Sequence, residues 1–155
     1  MNHKLRILPL LLAVMFASCS PAQSEQMSKN AFTEYEINTY QHLDWPVILK
    51  QSEANYLVVF YSETCTYCQE IMEDVYCFIQ DEIIKTYLVN TKKTSVKVPI
   101  ANDIENTLEK NNVDEVFIKG TPSIIEVKQG MVKTNIAGKD KCLTFLNNAR
   151  LLYKT

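Results

Sequence analysis

Glycine is scarce in this chain. Only Gly120, Gly130 and Gly138 occur in 155 residues, all in the last third. Histidine is scarcer still, at His3 and His42, so a histidine-rich metal site cannot be assembled. No segment repeats, and no low-complexity tract occurs beyond a polar run at 20–30, which sets aside solenoid and propeller architectures. Lys and Arg form no stripe or cluster, so the electrostatic footprint of a nucleic-acid binder is missing, and no nucleic acid is expected as a partner. Apart from 7–17, no apolar run approaches the ~20 residues that a helix needs to cross a bilayer core.

What is present begins at the N-terminus. His3, Lys4 and Arg6 make a basic start, and 7–17 is apolar and uncharged. That stretch is too short for a ~30 Å hydrocarbon core, but it fits the core of a secretory signal ending in the small residues Ala17 and Ser18. A buried N-terminal helix is the other reading, and the polar run at 20–30 leaves such a helix nothing to pack on. Phe16-Ala17-Ser18-Cys19 resembles a bacterial lipoprotein signal, with Phe16 where Leu is usual. The resemblance implies cleavage before Cys19 and transfer of a diacylglycerol to its thiol; plain secretion after cleavage near the same point stays open. Two acyl chains would anchor the protein to a membrane, where one binds only marginally. The expected division is a signal at 1–18, a lipidated Cys19 with a flexible tether at 19–30, and one domain at 31–155. Removing 18 of 155 residues leaves 137, a length suited to one core. Loss of Lys4 and Arg6 takes 16 basic side chains to 14 against 18 acidic, a net charge of −4.

Hydrophobic patterning places the elements. A weak alternation at 35–40 predicts a first strand. Asp44-Trp45-Pro46 predicts a helix start, with a capping Asp and Pro in the first turn, running to about Glu53. The continuous run Tyr56-Leu57-Val58-Val59-Phe60-Tyr61 predicts a central strand covered on both faces. From Cys65, apolar residues at Ile71, Met72, Val75, Phe78 and Ile79 recur at helical spacing to near Asp81. A short strand at 86–90, a Lys-rich connection at 91–99 and a helix over 102–111 follow. Strands at 123–128 and 131–137 are joined by Gln129-Gly130 in a tight turn, and a terminal helix begins at Lys139. The order β-α-β-α-β-α-β-β-α predicts an α/β fold, a mixed sheet with helices on both faces that ends in an antiparallel hairpin.

Chemistry concentrates in Cys65-Thr66-Tyr67-Cys68, between the buried strand and a helix start. Free N–H donors and the partial positive charge of a helix N-terminus favour thiolate over thiol. Two intervening residues let the sulfurs meet. Cys65, at the exposed edge of the turn, is the candidate that attacks a disulfide or is attacked by a thiol; Cys68, one turn inside, resolves the mixed disulfide. The same spacing opens many zinc sites. Zinc needs two further ligands, and His42, Cys77 and Cys142 form no second closely spaced pair, so neither metal nor cofactor is expected.

Gly120-Thr121-Pro122-Ser123 ahead of the hairpin, Gly138 ahead of the last helix, and Ser62-Glu63-Thr64-Cys65-Thr66-Tyr67-Cys68 after the strand resemble thioredoxins in order and spacing, over about 31–152. The resemblance implies a three-layer α/β/α thioredoxin-like domain. It also implies a cis Pro122 against the active-site sulfurs and a Thr121 that pairs with substrate backbone. Two positions depart: Val59 stands where cytosolic thioredoxins carry a buried Asp, and Thr64 where they carry Trp. Both argue against a general cytosolic reductase. Thr66-Tyr67 is closer to the Gly-Tyr and Pro-Tyr pairs of disulfide isomerases. Glu63 is near enough to act on the cysteines or to be an ordinary solvated carboxylate.

A thioredoxin-like fold would put the helices bearing Cys77 and Cys142 on one face of the sheet, so a structural Cys77–Cys142 disulfide and two unpaired thiols both stay open. Two functions follow. One is an extracytoplasmic thiol–disulfide oxidoreductase, its partners exported protein or peptide thiols and a separate redox partner. The other is a non-catalytic accessory lipoprotein, resembling those that accompany bacteriocin-type peptide export. Reductase, oxidase and isomerase are not separated by the sequence.

Overall fold

A computed structural model describes residues 40–153. The signal expected at 1–18, the lipidated Cys19 and tether expected at 19–30, and all but the last residue of the strand expected at 35–40 lie outside the described residues. Strand β1 (Asn55–Tyr61), helix α1 (Thr66–Gln80), β2 (Thr86–Asn90), β3 (Ser123–Lys128), β4 (Met131–Ala137) and α2 (Lys139–Tyr153) follow in order. They form one four-stranded sheet in the order β2-β1-β3-β4. β1 pairs parallel with β2 and antiparallel with β3, and β3 pairs antiparallel with β4.

β1 lies in the middle because its side chains are apolar on both faces. Leu57, Val59 and Tyr61 point into a core shared with Ile71, Met72, Val75 and Phe78 of α1 and with Cys142, Leu146 and Ala149 of α2. Tyr56, Val58 and Phe60 point the other way, onto Trp45, Ile48, Val98, Val116 and Ile118. At ~1.5–3 kcal/mol for each fully buried large side chain, this strand is the main apolar anchor of the fold.

α1 and α2 run side by side in parallel on the first face. Lys139 pairs with Glu70 at 2.6 Å near their starts, and Arg150 with Asp81 at 3.2 Å near their ends. The second face is covered differently from the expected α-helices. The helix expected from Asp44 to about Glu53 is a single 3-10 turn, Trp45–Val47, capped as read by Asp44 and with Pro46 in its first turn. Beyond it Gln51 donates to the Val47 carbonyl and Tyr56 to the Ile48 carbonyl, so side chains satisfy groups that a longer helix would have paired. The helix expected over 102–111 is also only a 3-10 turn, Glu105–Thr107. Leu108 is extended, Glu109 takes φ 63°, and the Glu109 N–H donates to the Val132 carbonyl while the Lys110 carbonyl accepts from Val132 N–H. The unpaired edge of β4 captures this backbone and the helix does not form. At the opposite edge, Gln41, His42 and Leu43 bridge Leu88 of β2. Gln129 and Gly130, with φ 52° and 74°, make the two-residue turn joining β3 and β4.

Candidate active site

β1 delivers the chain to the site, and a small hydroxyl turn stops it there. Ser62 Oγ and Thr64 Oγ1 lie 3.1 Å apart, and Cys65 N–H donates to the Ser62 carbonyl at 3.1 Å. This turn sets Cys65 in extended backbone (φ −90°, ψ 112°) as the N-cap of α1. Its sulfur stands where the hydroxyl of a capping serine would, and accepts the Cys68 N–H at 3.2 Å. Cys65 is half-buried, Cys68 fully buried, and their sulfurs lie 2.6 Å apart. Both are free thiols. That separation is well inside van der Waals contact and short of a bond, so the pair is placed to close a disulfide without backbone rearrangement.

The third wall is the loop before β3. The Thr121–Pro122 peptide is cis. Cys65 Sγ donates to the Thr121 carbonyl at 3.3 Å, which ties this loop to the cysteine 56 residues away. Ser123 Oγ donates to the Gly120 carbonyl at 2.6 Å, and the Gly138 N–H to the Pro122 carbonyl at 2.9 Å, so both ends of the loop are clamped. Burial pushes the Cys68 thiol up to about 12; the adjacent Cys65 adds to this, and the Ser62 backbone and the Thr121 side chain only partly oppose it.

Each residue named from the sequence can now be placed. Cys65, Cys68, Thr121 and Pro122 meet at one point. Thr66 and Tyr67 are exposed on the first turn of α1, Tyr67 by 60%, as the most prominent apolar surface between the cysteines. Glu63 is turned away: its carboxylate accepts from Asn90 at 3.0 Å and pairs with Lys93 at 2.7 Å, bracing the loop after β1 against the loop after β2. His42 has both ring nitrogens engaged, with the Tyr40 carbonyl at 2.9 Å and the Tyr61 hydroxyl at 3.0 Å.

The Cys77–Cys142 bridge is not formed. Cys142 is a free, fully buried thiol, 3.8 Å from the Pro122 carbonyl. The helix register explains why. Glu70 with Lys139 and Asp81 with Arg150 are each 69 residues apart, so Cys77 lies level with Leu146. Cys142 is four residues back, ~6 Å along the axis on top of the ~8–10 Å between helix axes, beyond disulfide reach. The burial of Cys142 beneath the proline loop was missed in the sequence. It was signalled there by the spacing Cys142, Leu146, Ala149, which puts all three on one helix stripe.

No family model matches the chain, and no curated protein matches it in sequence. Solved structures do match. A protein with a thioredoxin fold, provisionally classed as an oxidoreductase, superposes with a TM-score of 0.50 at 14% identity, over 75% of this chain and 97% of that one. The chain has the thioredoxin fold. Two thioredoxins are also similar to it. Thioredoxin O1 of Arabidopsis thaliana in its oxidised state is 18% identical, with a TM-score of 0.47 over 81% of this chain and 95% of that one. Mitochondrial thioredoxin 3 of Saccharomyces cerevisiae is 14% identical, with a TM-score of 0.49 over 73% and 98%. Within this thioredoxin fold a Cys-x-x-Cys pair caps the helix that follows the central strand. Val59 lies in the apolar core beside α1.

Proposed function

We propose that the protein is an extracytoplasmic thiol–disulfide oxidoreductase that exchanges disulfides with exported proteins or peptides through Cys65 and Cys68. The observation that carries this reading is the pair of free sulfurs 2.6 Å apart at a helix start, one reachable from outside and the other buried. In the proposed chemistry the Cys65 sulfur attacks a client disulfide, forming a mixed disulfide and releasing the distal client thiolate. Cys68 then attacks the Cys65 sulfur, closing the Cys65–Cys68 bond and releasing the second client sulfur as a thiol. The client is reduced by two electrons and the pair oxidised by two; run backwards, the same steps oxidise a client dithiol. A separate redox partner resets the pair. The signal-like sequence at 1–18 supports a location outside the cytoplasm, and the lipoprotein-like Phe16-Ala17-Ser18-Cys19 supports a membrane anchor through Cys19. Among the described residues no helix is long and apolar enough to cross a membrane.

The test is a pair of substitutions assayed on a model protein disulfide. Cys65→Ser should abolish turnover, and Cys68→Ser should accumulate a mixed disulfide visible on a non-reducing gel. Full turnover by Cys65→Ser would refute the assignment. A pair that resists mild reductants, in a protein whose biological role survives Cys65→Ser, would favour the accessory role in peptide export.

A further inference from the structure

In an antiparallel ladder the backbone groups of successive residues point alternately toward and away from the partner strand. On β4, Val132 points away from β3, since its N–H and carbonyl are taken by Lys110 and Glu109 at 2.9 and 2.8 Å. Lys133 is then extra, a bulge between the Val127–Val132 and Glu126–Thr134 pairs. Past the strand, Gly138 points inward, its N–H on the Pro122 carbonyl. Counting back from Gly138, Ile136 points inward, and Asn135 and Ala137 point outward. Among the described residues no backbone–backbone hydrogen bond engages these two on that side, although the Asn135 side chain donates to Thr107 Oγ1 and to the Phe117 carbonyl. The covering segment at 109–110 stops at Val132 and leaves the backbone of the part nearest the proline loop unpaired, with the Glu105–Thr107 turn lying beside it and Thr107 Oγ1 2.7 Å from the Asn135 side chain.

That unpaired part borders a groove of about 510 Å³, lined by Asn135 and Ala137, by Asp103, Glu105 and Lys119, and by Thr121 and Pro122. The groove is therefore continuous with the thiol site, because Thr121 also receives Cys65 at 3.3 Å. Its lining sets Ile104 and Ile136 beside charges of both signs, a mixture that suits a polypeptide better than a purely apolar ligand. A strand edge offers donors and acceptors in alternation, and an extended polypeptide backbone matches it group for group.

We propose that the β4 edge at Asn135 and Ala137 binds an extended segment of the client polypeptide as an added strand while the client's cysteine reacts at Cys65. This rests on the thiol-exchange reading above and gives it a substrate class: unfolded or extended chain, as opposed to small disulfides or cysteines fixed in folded surfaces. The added strand would lie two strand spacings from β3, ~10 Å, a span bridged by about three extended residues at ~3.3 Å each. The paired residues are therefore three to four positions from the client cysteine.

The test uses the full-length Cys68→Ser protein and a short synthetic peptide whose single cysteine is activated as an aromatic disulfide. A series carries one backbone N-methyl group at each successive position. N-methylation of an edge-facing residue should slow trapping about tenfold, the loss of one or two backbone hydrogen bonds, and its neighbours should stay within twofold. Hydrogen exchange at the Asn135 and Ala137 amides should be fast in the free protein and slow in the trapped complex. A flat N-methyl series with brisk trapping would overturn the edge proposal and leave the thiol chemistry standing. Amides already protected in the free protein would show the edge occupied by the chain itself or by a second copy, and would also overturn it. Failure of Cys65 to react with either the peptide or a small aromatic disulfide would remove the functional reading, and the edge proposal with it.

Discussion

Cys65→Ser isolates Cys68 and makes its burial measurable. Cys68 is fully buried, and burial is the largest cause holding its thiol near 12 against an ordinary 9.0. At pH 7.5 an ordinary thiol of that value is ~3% thiolate, and one at 12 is ~0.003%, a thousandfold difference in the reactive species. Removing Cys65 deletes its hydrogen bond and charge, both of which raise Cys68, but leaves the desolvation. Cys68 in the variant should therefore react with iodoacetamide at least roughly a hundredfold more slowly than a free thiol. Cys142, raised to about 12 chiefly by burial, serves as an internal reference nearer a thousandfold. The sign follows from the direction of the shift. A raised thiol stays neutral through the physiological range, so both rates should climb about tenfold per pH unit from 7 to 10 without a plateau. Peptide-resolved mass spectrometry after timed alkylation reads each cysteine separately. Labelling of Cys68 within tenfold of a free thiol, or a plateau below pH 9, would refute the argument that burial makes it the resolving sulfur.

Two further outcomes follow from contacts elsewhere. Tyr153 donates a short 2.5 Å hydrogen bond to Glu126, a buried carboxylate on β3 that also accepts from Thr134 and pairs with Lys128. Tyr153→Phe should lower unfolding stability by about 1–2 kcal/mol in urea titration at pH 7. Burial pushes the Glu126 carboxyl up, but the hydrogen bonds outweigh it and hold it below its ordinary 4.5. The difference between the two proteins should therefore be full above 4.5 and vanish as pH falls through the lower folded value; a difference independent of pH would exclude the carboxylate as the partner. Glu63→Gln should leave the rate of disulfide reduction within about twofold, because that carboxylate faces Asn90 and Lys93. A tenfold change in a stopped-flow assay would return Glu63 to the chemistry.

The strands and the site were legible because their signals are local. Six consecutive apolar residues at 56–61 demand burial on both faces, Gln129-Gly130 specifies a tight turn, and Cys65 to Cys68 is a contiguous motif that folds as the cap of its own helix. The layer on the second face was not legible. Ile104 and Leu108, four apart, carry a helical pattern, yet the nearby backbone satisfies Val132 of β4, a partner more than twenty residues away. Edge pairing is non-local and leaves no periodic mark on the segment that supplies it. The fate of Cys142 was hidden for a related reason: it depends on the axial register between two helices, fixed by Glu70 with Lys139 and Asp81 with Arg150.

Val59 beside the helix carries a consequence for how protons travel. Cys68 shares its surroundings with apolar side chains, and the groups acting on its proton are Cys65, the Ser62 backbone and Thr121. No carboxylate or imidazole of the described residues is among them. When Cys68 attacks in the proposed reaction, its hydrogen has no such acceptor among the described residues, and the departing client sulfur is free to take it. Release would then be governed by the basicity of that sulfur, so the client itself takes part in the proton's departure.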